Sequence, residues 1–392
     1  MNRSDSVASK FAKHSALMLI VAMMFRTSVP ESALLVRCDG IGDFTIWIDA
    51  ATRLVTYYRQ RGLRVTLLAN SEWAEFAREL ALFDDVIEVD LKRFSKRIST
   101  RWALAKKLRK AGFQIAVLSM YSRTMMTDMM VHLSGARERV GPTSDFSNID
   151  LKEKRISDRW YTRLIPSRPH PMMEAFRNAE FVSEIIGEHY QPRLARWDTV
   201  LQHSLAVGSI EGLPLDEPYY VLHPGASSGE KRWPIEKFGE IAKLIWQQTG
   251  WRGVVCGGPG DQGLADVLCS IPAVPLISLA GRIRLSQMVA IIARARLLVT
   301  NDTSASHMGA AARIPTICIS GGWHYGRFWP YPENLSESTV QPRVVFHKMS
   351  CFGCNWICPY ERRSGEPVPC VDRIRVEDVA SDVLAVLART KS

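Results

Sequence analysis

Ala295-Arg296-Leu297-Leu298-Val299-Thr300-Asn301-Asp302-Thr303-Ser304-Ala305-Ser306-His307-Met308-Gly309 runs from an apolar stretch, through a turn of small hydroxyl residues, into a helical pattern. A buried strand, a tight turn and a helix start is how α/β proteins hold a phosphate. The turn presents backbone N–H groups and the positive end of a helix dipole. Asp302 suits a cap, and His307 falls in the first turns where it can face a ligand. The same residues also suit an ordinary capped core helix. Read as a ligand turn, the segment points to a nucleotide or sugar phosphate.

On either side of this segment, the strand–helix alternation repeats along the chain. Ala33–Cys38, Arg64–Ala69, Asp85–Val89 and Gln114–Ser119 are apolar runs of strand length, with helical stretches between them. The pattern restarts at Tyr219–His223 and continues through Gly253–Gly257, Pro275–Leu279, Leu297–Thr300 and Pro315–Ile319. Nearly continuous apolar strands separated by helices predict parallel sheets covered on both faces. Ser95–Gly112 is expected as one basic helix, Asp145–Pro171 as loops bordering a cleft, and Ala175–Gly187 and Val376–Arg389 as helices. The expected divisions are a leader helix over 1–31, an N-terminal domain over 32–200, a C-terminal domain over 215–345, a Cys-rich segment over 346–375 and a final helix over 376–392.

A chain of 392 residues is long enough for two cores. Apolar content of 46% and charged content of 23% place it among globular proteins. The net charge of +10 favours acidic partners such as phosphorylated sugars or anionic lipid surfaces. No basic recognition helix or aromatic–basic ribonucleoprotein motif accompanies it, which argues against nucleic acid. The apolar run Ala16–Phe25 follows Arg3, Lys10 and Lys13. It is too short to span a bilayer and no small-x-small cleavage site follows. It therefore reads as a docked or membrane-touching helix.

Further turns follow strands. Asp39-Gly40-Ile41-Gly42-Asp43 lacks the third glycine of a dinucleotide fingerprint, but it holds a carboxylate at the C-terminal edge of a sheet. Asp43 is a candidate general base there, or simply a helix cap. His223-Pro224-Gly225-Ala226-Ser227-Ser228-Gly229-Glu230-Lys231-Arg232-Trp233-Pro234 supplies small donors and positive charge for a phosphate. In Cys256-Gly257-Gly258-Pro259-Gly260-Asp261 the glycines allow close approach, and Asp261 could accept from ribose hydroxyls. Arg123 follows the fourth strand and is a candidate contact for an acidic acceptor. Cys351, Cys354, Cys358 and Cys370 have the count for a structural zinc or iron site; free thiols or local disulfides are the other readings. The remaining cysteines suit a reducing compartment.

Taken in order, these motifs resemble the family 9 glycosyltransferases, the ADP-heptose:lipopolysaccharide heptosyltransferase group. The matching pieces are Leu34–Arg37 through Asp43, His223–Ala226 with Lys231–Pro234, Gly257–Gly260, Ser278–Gly281 with Leu285-Ser286, and Asn301–Thr303 with His307. The resemblance implies a GT-B fold, two Rossmann-like doubly wound domains facing a central cleft. It implies inverting transfer of a sugar, heptose, from a nucleoside diphosphate to a lipopolysaccharide-core or related surface glycan, with no cofactor required for the chemistry. Asp43 then resembles the base, Ser227 and Lys231 the diphosphate contacts, Asp261 the ribose ligand, and Asp302, Thr303 and His307 the donor phosphate and sugar motif. Ser304 stands where the family usually has Gly. The implied setting is cytoplasmic and peripheral on the inner membrane. The rival expectations are a non-catalytic nucleotide-sugar or phosphate-binding protein, transfer to O-antigen or protein, and a metal-dependent scaffold built on the Cys cluster.

Overall fold

A computed structural model describes residues 31–168, 172–194, 217–332, 335, 342–361 and 363–390. The leader helix expected over 1–31 lies outside the described residues except for residue 31, and so does the stretch 195–216 around the expected division between the two domains. Internal packing divides the chain into two units. One holds Met1–Asp39, Thr52–Pro169 and Glu180–Tyr190; the other holds Gly40–Ala51, His170–Ala179 and Gln191–Ser392.

The first sheet contains β1 (Ser32–Arg37), β2 (Arg64–Asn70), β3 (Asp85–Val89), β4 (Ile115–Leu118), β5 (Glu138–Pro142) and β6 (Arg163–Ile165). Its order is β3-β2-β1-β4-β5-β6, and every pairing is parallel. Leu34 of β1 lies between Thr66 of β2 and Ala116 of β4. Ala33, Leu34, Leu35 and Val36 are fully buried, as a strand covered on both faces requires.

The second sheet contains β7 (Tyr219–His223), β8 (Arg252–Val255), β9 (Leu276–Ser278), β10 (Leu297–Asn301), β11 (Thr316–Ile319) and β12 (Arg343–Val345). It is again wholly parallel, in the order β12-β11-β10-β7-β8-β9. Both sheets thus reverse direction once, between β1 and β4 and between β7 and β10. The carboxyl ends of strands at such a reversal are where open α/β sheets bind ligands. The second core joins Tyr220, Trp233, Phe238, Ile317 and Trp323 to Val379 and Val383 of the C-terminal helix Val376–Thr390.

Three expectations need correction. Asp145–Pro171 is not all loop: it holds the helix Leu151–Ser157, a 3-10 turn and β6. Asp150 nucleates that helix through a capping box with Glu153, a local signal stronger than the missing apolar periodicity. The basic stretch is two helices, Leu91–Lys96 and Ile98–Ala111, separated by the extended Arg97. β5 and β12 were not anticipated. They are flanking strands, and β12 has only three residues.

Candidate active site

The site begins with Asn301, the last residue of β10 and completely buried. Its carboxamide accepts from the Trp233 backbone N–H at 3.0 Å and donates to the Pro224 carbonyl at 2.7 Å. One side chain therefore locks the loop after β7 to the turn after β10. Each buried bond satisfies a group whose exposure is lost, so the pair fixes the two turns relative to each other.

The helix Ser304–Ala311 opens at this edge. Thr303, not Asp302, is its N-cap: the Thr303 hydroxyl accepts from the Ala305 N–H at 3.3 Å. Asp302 instead accepts from the Trp329 indole N–H at 3.0 Å and the Ser320 hydroxyl at 3.1 Å. Burial raises its pKa, while Lys231 and these two donors pull it down. His307 is 5% exposed, stacked on Trp329 with ring centroids 4.7 Å apart, and hydrogen-bonded through Nδ1 to the Tyr331 hydroxyl at 2.8 Å. Burial pushes its pKa down to about 3, so the ring is neutral at pH 7.

Lys231 ends the 3-10 turn Gly229–Lys231 after β7. Burial lowers its pKa, against the upward pull of the carboxylates of Asp302 and Asp43. Asp43, in the first turn of the helix Ile41–Arg59, is thus in the same electrostatic neighbourhood. Gly42 explains how that turn comes so near. A Cβ built there would lie 3.3 Å from the His307 ring and 3.6 Å from the Ser304 Cα. The carboxylate-bearing turn consequently packs on the N-terminal end of the helix Ser304–Ala311.

Asp261 sits beside this group. It accepts from the Gly258 N–H at 2.9 Å and lies 3.5 Å from the Arg232 guanidinium. A side chain at Gly225 would collide with its carboxylate, which places the β7 and β8 turns edge to edge. Ser227 is exposed on the rim of the β7 loop. Asp43, Lys231, Asp302, Thr303 and His307 therefore converge, with Asp261 one loop away. Asn301, Ser320, Trp329 and Tyr331 were not singled out in the sequence. Only Asn301 lay in a motif; the other three reach the site by tertiary packing.

Arg123 has a different task from the one expected of it. It is fully buried, ion-paired with Asp158 and 3.8 Å from Asp128, with its guanidinium 4.9 Å from the centre of the Tyr161 ring. Tyr161 donates to Asp128 at 2.6 Å. Arg123 thus joins a buried charge network in the first unit rather than presenting a surface to an acceptor.

Cys351, Cys354, Cys358 and Cys370 line one cavity with Trp323, Met349, Phe352 and Trp356. Among the described residues no group of three or more His, Cys, Asp or Glu side chains is disposed to hold a metal ion. The four thiols nevertheless share that cavity, and the other three act electrostatically on Cys370, whose pKa burial raises. No described helix is long and apolar enough to cross a membrane.

Residues 101–352 match the model of glycosyltransferase family 9 (heptosyltransferase). The chain is 28% identical to lipopolysaccharide heptosyltransferase 3 of Escherichia coli K12 over 33% of its own length and 38% of that protein. It is 20% identical to the lipopolysaccharide core heptosyltransferase OpsX of Haemophilus influenzae, over 78% of this chain and 83% of that one. Its fold matches the E. coli heptosyltransferase WaaC solved with ADP-2-deoxy-2-fluoro heptose, with a TM-score of 0.63 at 20% identity, covering 92% of this chain and 99% of that one.

Proposed function

The chain belongs to glycosyltransferase family 9, and from that premise we propose that it transfers heptose from ADP-heptose to a lipopolysaccharide-core acceptor, with inversion at the anomeric carbon. The donor class is supported by the solved relative's bound ADP-sugar analogue, and the acceptor by the lipopolysaccharide relatives. One observation carries the reading: the Asp43 turn packs against the start of the helix Ser304–Ala311, with Lys231 in the field of both Asp43 and Asp302.

In the proposed step, the acceptor hydroxyl attacks the anomeric carbon as the bond to the diphosphate oxygen breaks. Asp43 takes the hydroxyl proton. The departing diphosphate gains negative charge beside the positive end of the helix dipole and the Lys231 ammonium. Thr303 shapes that N-terminus. Neutral His307, held by Trp329 and Tyr331, offers hydrogen bonding without competing for the base's proton. Ser227 reaches the diphosphate from the rim, and Asp261 takes ribose hydroxyls. The chemistry runs without a metal. The positive net charge suits a peripheral seat on the anionic inner membrane, facing the cytoplasm.

The test is ADP release from ADP-heptose with truncated core acceptors. Release that depends on acceptor supports transfer. Donor binding with no transfer to any acceptor would instead make the protein a nucleotide-sugar binder.

A further inference from the structure

The segment from Cys351 to Cys370 stood out in the sequence for its thiols. In the structure it contacts the turn that carries Lys231. The Val368 N–H donates to the Glu230 carbonyl at 2.9 Å. Gly229 lies so close to the Gly365 carbonyl that any side chain at 229 would overlap it. The turn Gly229–Lys231 is therefore braced from one side by the backbone of this segment.

The other side is aromatic. The Lys231 Nζ is 4.4 Å from the centre of the Trp356 ring and 5.6 Å from that of Trp323. The two indoles are stacked, 4.4 Å apart and 21° from parallel. Trp323 is buried and extends the loop after β11. Trp356 is held over it by main-chain bonds: Asn355 N–H to the Trp323 carbonyl at 3.0 Å and Gly353 N–H to the Gly322 carbonyl at 2.7 Å. The His324 Nε2 and the Asn355 side chain add a contact at 3.0 Å. Asn355 and Trp356 both adopt left-handed backbone, with φ of 47° and 69°. Residues other than glycine keep such a conformation only where the surroundings over-determine it, and it tends to mark functional sites.

Packing alone would be satisfied by a Lys231 stem lying on the indoles with its ammonium in water. Here the ammonium itself lies near the ring face, and Asp302 and Asp43 act on it. An ammonium over an indole keeps its charge and loses freedom to swing away. We propose that Trp356 is a positioning residue: with Trp323 it seats the Lys231 ammonium by cation–π contact so that its charge is pre-aimed at the donor diphosphate, making the Cys-rich segment part of the donor site. The ligand half of this statement rests on the nucleoside-diphosphate reading above; the seat itself does not.

The experiment uses the full chain and ADP as the probe, with calorimetry on Trp356→Phe, Trp356→Leu, Lys231→Met and the double variant Trp356→Leu/Lys231→Met, each checked by thermal melting. Trp356→Leu keeps an apolar side chain but removes the π face, and should weaken ADP binding about tenfold. Trp356→Phe should restore most of the affinity. In the Lys231→Met background, Trp356→Leu should cost nothing further, because the two residues act as one unit. Equal loss in both backgrounds would make the indole merely structural and overturn the proposal, as would full ADP affinity in Trp356→Leu.

A second readout needs no ligand. After reductive 13C-methylation, the Lys231 methyl resonance, assigned by its loss in Lys231→Met, should lie upfield of the other lysines through ring current and move back in Trp356→Leu. A resonance at the bulk position in the parent protein overturns the seat. An upfield resonance without ADP binding sinks the donor reading and leaves the seat standing.

Discussion

At the scale of single residues, the proposed site sets Asp43, read as the base, beside Asp302, which Trp329 and Ser320 hold by hydrogen bonds. Replacing Asp43 by Asn should cut transfer by roughly 10²–10⁴-fold while ADP affinity changes little, as general-base loss does; steady-state ADP release beside calorimetry checks both halves. Asn301 is the opposite case. Truncating it to Ala strands the buried Trp233 N–H and the Pro224 carbonyl, and should destabilise the fold by about 2–4 kcal/mol in urea melts. His307 gives a pH signature. Its folded pKa of about 3 lies below the ordinary 6.5. The unfolded chain therefore binds a proton that the fold refuses, and stability is lost as pH falls from about 6.5 towards 3, by up to about 1.4 kcal/mol per pH unit. Asp302 works the other way, since its raised pKa removes stability as pH rises through that value. Comparing melts of the parent and His307→Asn between pH 7 and 4.5 isolates the histidine, and the variant should show the shallower acid decline. The local motifs were legible where chemistry dictated them: Asp43 and Lys231 follow apolar strands closely, and the Asn301–His307 run joins a strand end to a helix start. Arg123 was not, because the groups that claim it, Asp128, Asp158 and Tyr161, come from later elements that no local pattern ties to it.

At the scale of elements, the helix Ser304–Ala311 is pressed directly on the sheet. A side chain at Gly309 would overlap Thr316 and lie 2.8 Å from Leu298. Gly309→Ala should therefore push the helix outward, cost about 1–3 kcal/mol of stability, and weaken ADP binding by moving the N-terminus proposed to receive the phosphate. Stability retained together with unchanged affinity would show that the helix position does not matter. The central strands announced themselves because Leu34, Leu35, Val36 and Leu297–Val299 are wholly apolar and wholly buried. The flanking strands did not: β6 is Arg163-Leu164-Ile165 and β12 is Arg343-Val344-Val345, too short for any periodicity to register. The Trp356–Lys231 contact was equally hidden, since it joins segments far apart in the chain through loops with no repeating pattern.

At the scale of the whole molecule, two parallel sheets of the same strand order place the Asn301–His307 turn and the Lys231 loop at the second sheet's point of reversal. The fold class was readable from the alternation alone, because parallel strands need crossover helices and so impose that rhythm. The positive charge was readable too, but its use depends on how it is presented to a partner. Heptose transfer with Asp43 as base is tested most directly by mass-resolved transfer from ADP-heptose to a heptose-free lipopolysaccharide core, run in parallel with the parent protein and Asp43→Asn. The parent protein should yield an acceptor heavier by one heptose and the variant almost none, while both bind ADP. Equal product from both proteins, or ADP binding with no product from the parent on any core acceptor, would contradict it.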